Sequence, residues 1–305
     1  MKTPNWKAHI ALLTVNVLYG ANHVLAKGLM PEYLDPTSFI FLRVSGAVLL
    51  FWILFACYER KPIEKADYWR FAACGLFGVA LNQLFFFHGL HLSSAFNSGI
   101  IMAINPILVV LLSLLLLREK LSVLKLTGIA LGAAGAILMT LRSGQLNSTS
   151  WLGDLFLLIN AASYALYLVL SKPLLLRYSP LQVITYVFTI GLIFLLLFPP
   201  TWSQLQAVNF AAIPQSAWFK IAYVIIGVTF LTYLLTIYGL KSVSPTVSSV
   251  YIYTQPIMVV LFTYLFVTLG WSADYRSAIT PEKFLYMGLI FTGVFFVSKK
   301  SVHAN

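Results

Sequence analysis

Ten apolar runs, each close to the length that crosses a bilayer, constrain this chain more than any other feature. They occupy residues 7–27, 37–58, 69–90, 95–117, 122–141, 151–172, 179–198, 217–240, 245–269 and 283–298. Segments of this kind must satisfy their backbone polar groups internally, so the expected fold is an all-α integral membrane protein of ten transmembrane helices. Composition agrees: only 10% of residues are charged, against about a quarter in soluble domains, and no stretch is polar enough to fold as one. The net charge of +11 would suit a nucleic-acid binder. The basic residues, however, sit in short clusters between apolar runs, which marks cytoplasmic loops. No nucleic acid is expected as a partner; the lipid bilayer is.

Lys2 and Lys7 precede the first run as in a signal peptide, but the run is long and more spans follow, so it reads as a retained first helix. With the N-terminus inside, fourteen of the twenty Lys and Arg fall on inner loops and five on outer ones. Both termini are therefore expected in the cytoplasm, with the chain in a bacterial inner membrane. Cys57 and Cys74 fall near the inner ends of their runs and read as unpaired small residues. No His/Cys/Asp spacing suits a metal, and no cofactor is expected.

A duplication lies inside the pattern. Asn105-Pro106 and Gln255-Pro256 are 150 residues apart, each followed by Ile, an aliphatic or Met, and Val-Val-Leu. Proline removes the amide that would bond the carbonyl four residues back, so each helix should break there. Such a break survives at membrane depth only when buried in protein or facing a watery cavity. Trp6 and Lys27 are 21 apart, as are Trp151 and Lys172; Gly89-Leu90 and Gly239-Leu240 share the 150-residue offset; Gly128 pairs with Gly288. The chain thus divides into residues 1–145 and 150–305, five helices each. Because five is odd, the second half must be inverted, and inverted repeats around a midplane site are the architecture of secondary transporters.

Several of these residues resemble the EamA-type transporters of the drug/metabolite transporter superfamily over nearly the whole chain. They are Tyr19-Gly20-Ala21-Asn22 with Lys27, Asp35-Pro36 with Arg43, Gly89-Leu90 followed by Ser93-Ser94-Ala95, Asn105-Pro106, Arg118-Glu119, and Gly128, Gly132 and Gly135. The resemblance implies a basket of ten helices, a cavity lined mainly by the first, third, fourth, sixth, eighth and ninth, and movement of amino acids, other metabolites or drugs. The ninth run departs from the pattern, ending Leu269-Gly270-Trp271 without the acid that closes the fourth.

The expected substrate contacts are Asn105 and Gln255 beside the broken backbone, Asn22 and His23 in the first helix, Gln83 in the third, Tyr164 in the sixth, and Tyr233 and Tyr251 in the eighth and ninth. Amides can instead bridge helices, and tyrosines can anchor at the interface. Helical spacing puts Ser98, Ile101 and Asn105 on one face, and Ser248, Tyr251 and Gln255 on its counterpart. Pro106 and Pro256 are the expected gating breaks. His23 can relay protons or simply pack. Arg43, a charge within a span, can brace neighbouring helices or hold a substrate carboxylate. No Asp or Glu lies centrally in a span, which favours neutral or zwitterionic metabolites over cations, with aromatic contact mostly from the second half. The GxxxG pair Gly128 and Gly132 suits packing within the bundle or a homodimer. The preferred function is an exporter or facilitator of small metabolites. The alternatives are a drug/proton antiporter, a channel, and a membrane-embedded sensor or lipid-modifying enzyme, for which no paired acids or Ser/His/Asp set is found.

Overall fold

The computed structural model describes residues 6–298 apart from 31, 59–60, 118–122, 144–149 and 244. Arg118-Glu119 therefore lies outside the described residues. Helices occupy every one of the ten apolar runs. In chain order they are Trp6–Lys27, Pro36–Phe55, Lys65–Leu92, the broken pair Ala95–Met102 and Asn105–Leu117, Val123–Ser143, Trp151–Arg177, Pro180–Leu196, Gln215–Ser242, a second broken helix, and Pro281–Ser298. The second broken helix comprises Pro245–Val250 and Thr254–Thr268. Among the described residues seven of these are long and apolar enough to span a membrane alone, or up to eight if one bent pair counts as a span.

That bent pair turns at Pro199-Pro200, where a new helix, Pro199–Ala207, starts at 78° to Pro180–Leu196. Proline has no amide to lose in a first helical turn, so the pair stops one helix and opens another. The Asp35-Pro36 dipeptide works the same way. The Asp35 carboxylate accepts from the amides of Thr37 (2.8 Å) and Ser38 (3.2 Å), with Pro36 in the first turn. Ser179-Pro180 repeats the arrangement at the seventh helix, where Ser179 Oγ accepts from Gln182 N at 3.2 Å.

Packing is swapped between the halves. The first helix lies chiefly against the eighth and ninth, whereas the sixth lies against the third and fourth. Small residues at matching positions make these approaches. A Cβ on Gly89 would sit 2.9 Å from Leu157 Cγ and from Gly153 O, and one on Gly239 would sit 2.7 Å from Leu12 Cγ. Leu12 and Leu157 are 145 residues apart, the offset of Trp6 and Trp151. Gly20 is equally tight, 2.3 Å from Met258 Cβ for an added Cβ. Two bundles result: one carries the first, eighth and ninth helices, the other the third, fourth and sixth.

Gly128 and Gly132 face the tenth helix, where a Cβ on Gly293 would meet Gly128 O at 2.5 Å and Gly132 N at 2.6 Å. The glycine packed against them is Gly293; Gly288, the repeat counterpart of Gly128, is exposed with no heavy atom of the described residues near an added Cβ. This close glycine contact is made within the bundle. Cys74 is buried as expected, but Cys57 is exposed.

Two irregularities had no sequence expectation. The third helix contains a π-turn at Leu76–Ala80 and the eighth a longer one at Val224–Leu231. They occupy matching places in the two halves, and single-turn π segments are rare and frequent at functional sites. Side chains occupy the carbonyls around these turns: Ser163 Oγ donates to Phe77 O (2.6 Å), Tyr233 OH to Gly78 O (3.2 Å) and Thr229 Oγ1 to Val224 O (2.7 Å).

Candidate functional site

Both proline breaks are present, and their geometry places the polar groups beside them. In the fourth helix Ala103 N and Ile104 N bond the carbonyls of Ile100 and Ile101, three residues back, before Asn105 starts the next helix. In the ninth, Tyr251–Tyr253 forms a 3-10 turn before Thr254–Thr268. Asn105 Nδ2 then donates to Ala161 O in the sixth helix at 2.8 Å. Gln255 Nε2 donates to Asn16 Oδ1 in the first at 2.7 Å, and Asn16 Nδ2 donates to Leu12 O at 2.8 Å. Positions 16 and 161 are again 145 apart, so the two amides reach equivalent places in opposite halves.

Between the bundles lies a small cavity of about 60 Å³, below the usual range for small-molecule sites. Asn22, His23, Arg43, Gln83, Asn105, Tyr164, Tyr233 and Gln255 all line it. Tyr19, Asn82, Phe86, Met102, Asn160 and Ile252 complete the lining. These residues come from the first, second, third, fourth, sixth, eighth and ninth helices. Pro106 and Pro256 adjoin the lining amides without belonging to it.

Tyr251 does not join this group. It is half-buried, its hydroxyl 2.5 Å from His9 Nδ1 near the start of the first helix. The expectation counted α-helical turns from Tyr251 to Gln255, but Tyr251 opens the 3-10 turn, which advances by a larger angle per residue and swings it off the Gln255 face. Ile252 takes the lining position, and its counterpart 150 residues earlier, Met102, does so in place of Ile101. Tyr253 is likewise elsewhere, its ring 5.3 Å from Phe291. The aromatic lining is also balanced rather than concentrated in the second half: Tyr19 and Phe86 face Tyr164 and Tyr233. Tyr19 was legible, because it precedes Tyr164 by the same 145 residues.

Arg43 is 3% exposed and is the one charged residue among those lining the cavity. Its Nε donates to Thr229 Oγ1 at 2.9 Å, and its guanidinium lies 4.5 Å from the centre of the Phe87 ring. Among the described residues no carboxylate pairs with it. A guanidinium held by a hydroxyl and an aromatic face keeps its charge without neutralising it. Two buried acceptors in the same lining, Asn22 Oδ1 and Asn105 Oδ1, have no hydrogen-bond partner among the described residues.

His23 is buried, its Nδ1 2.5 Å from Ser98 Oγ and its Nε2 3.3 Å from Gln255 Oε1. Gln255 Oε1 can only accept, so Nε2 carries a proton. Ser98 Oγ also lies 2.8 Å from Ala95 O. In neutral His23 the serine donates to Nδ1; in the imidazolium Nδ1 donates to the serine, whose proton turns to Ala95 O. Hydrogen bonding is closed in both states. Phe86 packs edge-on against the ring at 5.2 Å.

Outside the cavity, the buried Asp154 accepts from Ser93 Oγ and from Asn97 Nδ2 (3.2 Å), joining the start of the sixth helix to the third and fourth. Asp67 accepts from Tyr178 OH (2.9 Å), Arg177 (3.0 Å) and Arg70 (3.1 Å), tying the start of the third helix to the end of the sixth.

Comparison with known proteins agrees with this architecture. The chain is 26% identical over 262 residues to an uncharacterized transporter, YyaM, of Bacillus subtilis, covering 84% of this chain and 85% of that one. It is 26% identical over 280 residues to an uncharacterized transporter of Archaeoglobus fulgidus, covering 90% and 93%. Over 210 residues it is 27% identical to a probable terminal-alkyne amino-acid exporter of Streptantibioticus cattleyicolor, covering 68% of each. A solved crystal structure superposes with a TM-score of 0.63 at 20% identity, covering 95% of this chain and 96% of that one, which shows a shared fold. The family model for EamA-like transporters matches twice, over residues 6–141 and 151–299. The chain, with its two helical repeats closing on one cavity, is a multi-pass membrane protein of the EamA-like transporter family.

Proposed function

We propose that the protein is a secondary transporter that moves amino acids or closely related zwitterions by alternating access, binding them in the cavity between its two bundles. The observation that carries this reading is Arg43: a buried, uncompensated guanidinium in a cavity whose other polar groups are neutral. A substrate carboxylate would supply the missing anion through two parallel N–H···O bonds. The partnerless Asn22 Oδ1 and Asn105 Oδ1 are acceptors for an ammonium group, and Tyr19, Phe86, Tyr164 and Tyr233 offer ring faces to a side chain. Repeats bounded at residues 1–145 and 150–305, cytoplasmic termini and a bacterial inner-membrane location complete the proposal. The amino-acid exporter among the relatives is in keeping with it.

Counterflow of radiolabelled amino acids in proteoliposomes tests the reading. Saturable exchange that Arg43→Met weakens supports it, while exchange indifferent to Arg43 removes the proposed anchor. Proton coupling is a second reading, favoured by the hydrogen bonding of His23, which is complete in either protonation state. Uptake driven by an imposed pH gradient and lost in His23→Asn would establish it. The drug/proton antiporter alternative requires a cation site, and no lining residue is acidic.

A further inference from the structure

Lys27 and Lys172 occupy equivalent places, 145 residues apart, near the ends of the first and sixth helices. Each is half-buried and donates to two backbone carbonyls in the other bundle. Lys27 Nζ reaches Leu90 O (2.9 Å) and His91 O (2.6 Å) in the last turn of the third helix. Lys172 Nζ reaches Leu240 O (2.5 Å) and Val243 O (2.8 Å) at the end of the eighth. Leu90 and Leu240 are themselves related by the 150-residue offset, so this is one contact made twice. The carbonyls at a helix end are the ones without partners in their own helix, and an ammonium there also meets the negative end of the dipole.

Their placement matters more than their energy. Because the first helix packs with the eighth and ninth, and the sixth with the third and fourth, both lysines cross from one bundle to the other. The first and third helices end at one membrane face; the sixth and eighth end at the opposite face. The cavity lies between these two crossings. The geometry points to Lys27 and Lys172 as a pair of reciprocal latches, each closing the cavity at one face and releasing in turn during the transport cycle. A fixed capping lysine would predict equal, non-directional effects of removal. Latches predict effects of opposite sign.

This inference rests on the alternating-access reading, and its test separates the two. A single cysteine replaces Met102 in the cavity lining, in a background with Cys57→Ser and Cys74→Ala. Its labelling by a membrane-impermeant maleimide is measured from each face in right-side-out and inside-out vesicles. Labelling from both faces is expected in the parent. Lys27→Met should raise the rate severalfold from the face where the first helix ends and lower it from the other, with Lys172→Met doing the reverse and Lys→Arg variants close to the parent. Parental labelling from both faces with no opposite shifts would overturn the latches but not alternating access. Labelling from one face alone in every protein would overturn both. Should either Met variant fail to fold, Lys27→Gln and Lys172→Gln serve instead; opposite shifts in labelling support the latches, and rates equal to the parent at both faces contradict them.

Discussion

Gln83 Nε2 donates to Tyr233 OH at 2.9 Å, and the two residues are separated by 150 positions, the offset that relates the two halves. Equivalent residues of two repeats touch only where the axis relating them passes. The bond therefore marks that axis at the cavity wall, with Tyr233 OH also placed 3.2 Å from Asn82 Oδ1 and Gly78 O. Tyr233→Phe keeps the ring and removes this junction, leaving Gln83 Nε2 buried without its acceptor. A loss of about 1–3 kcal/mol in stability is expected, read as a lower midpoint of thermal unfolding in detergent. A midpoint unchanged from the parent would mean that the bond holds nothing together.

Arg43 should discriminate by charge. Charge-assisted hydrogen bonds contribute about 1.5–3 kcal/mol each, so losing two of them in Arg43→Met is expected to weaken binding of a zwitterionic amino acid roughly 100-fold or more. The corresponding amino-acid amide, which has no carboxylate and a net positive charge, should bind the variant at least as well as the parent. Arg43→Lys keeps the charge without the planar fork and should fall between. Ligand-dependent thermal shifts give all three values, and equal losses for acid and amide would show that Arg43 acts only as a brace.

The two close glycines should respond unequally. An added methyl at Gly89 meets a backbone carbonyl, that of Gly153, which cannot move aside; at Gly239 it meets the side chain of Leu12, which can rotate. Gly89→Ala is expected to cost about 1–3 kcal/mol through overpacking, and Gly239→Ala less. Unfolding midpoints of the two variants, measured side by side, check the order.

Asn105 and Gln255 invite a similar comparison. Asn105→Ala frees one backbone carbonyl, Ala161 O, whereas Gln255→Ala removes the partner of both Asn16 Oδ1 and His23 Nε2. The glutamine variant should be the less stable of the pair. The reverse order would mean that the Asn16–Gln255–His23 chain is not maintained in the membrane.

The repeat was legible because duplication leaves residues at fixed offsets, and those offsets carried further than hydropathy. Asn105 with Gln255, and Gly89 with Gly239, were visible as pairs, and the cavity lining follows most of the polar residues singled out in the spans. The exchange of helices between halves was not legible, since apolar faces in lipid carry little sign of which neighbour they meet. Tyr251 was misplaced because a proline-induced 3-10 turn changes the angular step, and α-helical counting cannot see where that turn begins. The π-turns left only a faint trace, the Gly-Val pairs at Gly78-Val79 and Gly227-Val228.

The central claim is that substrate binds between the bundles with its carboxylate on Arg43. Amino-acid counterflow in proteoliposomes holding equal amounts of folded parent and Arg43→Met tests it most directly. Saturable counterflow in the parent, with at least a tenfold higher half-saturation concentration in the variant, is the predicted result. Identical half-saturation in the two proteins, or flux that never saturates, would contradict it.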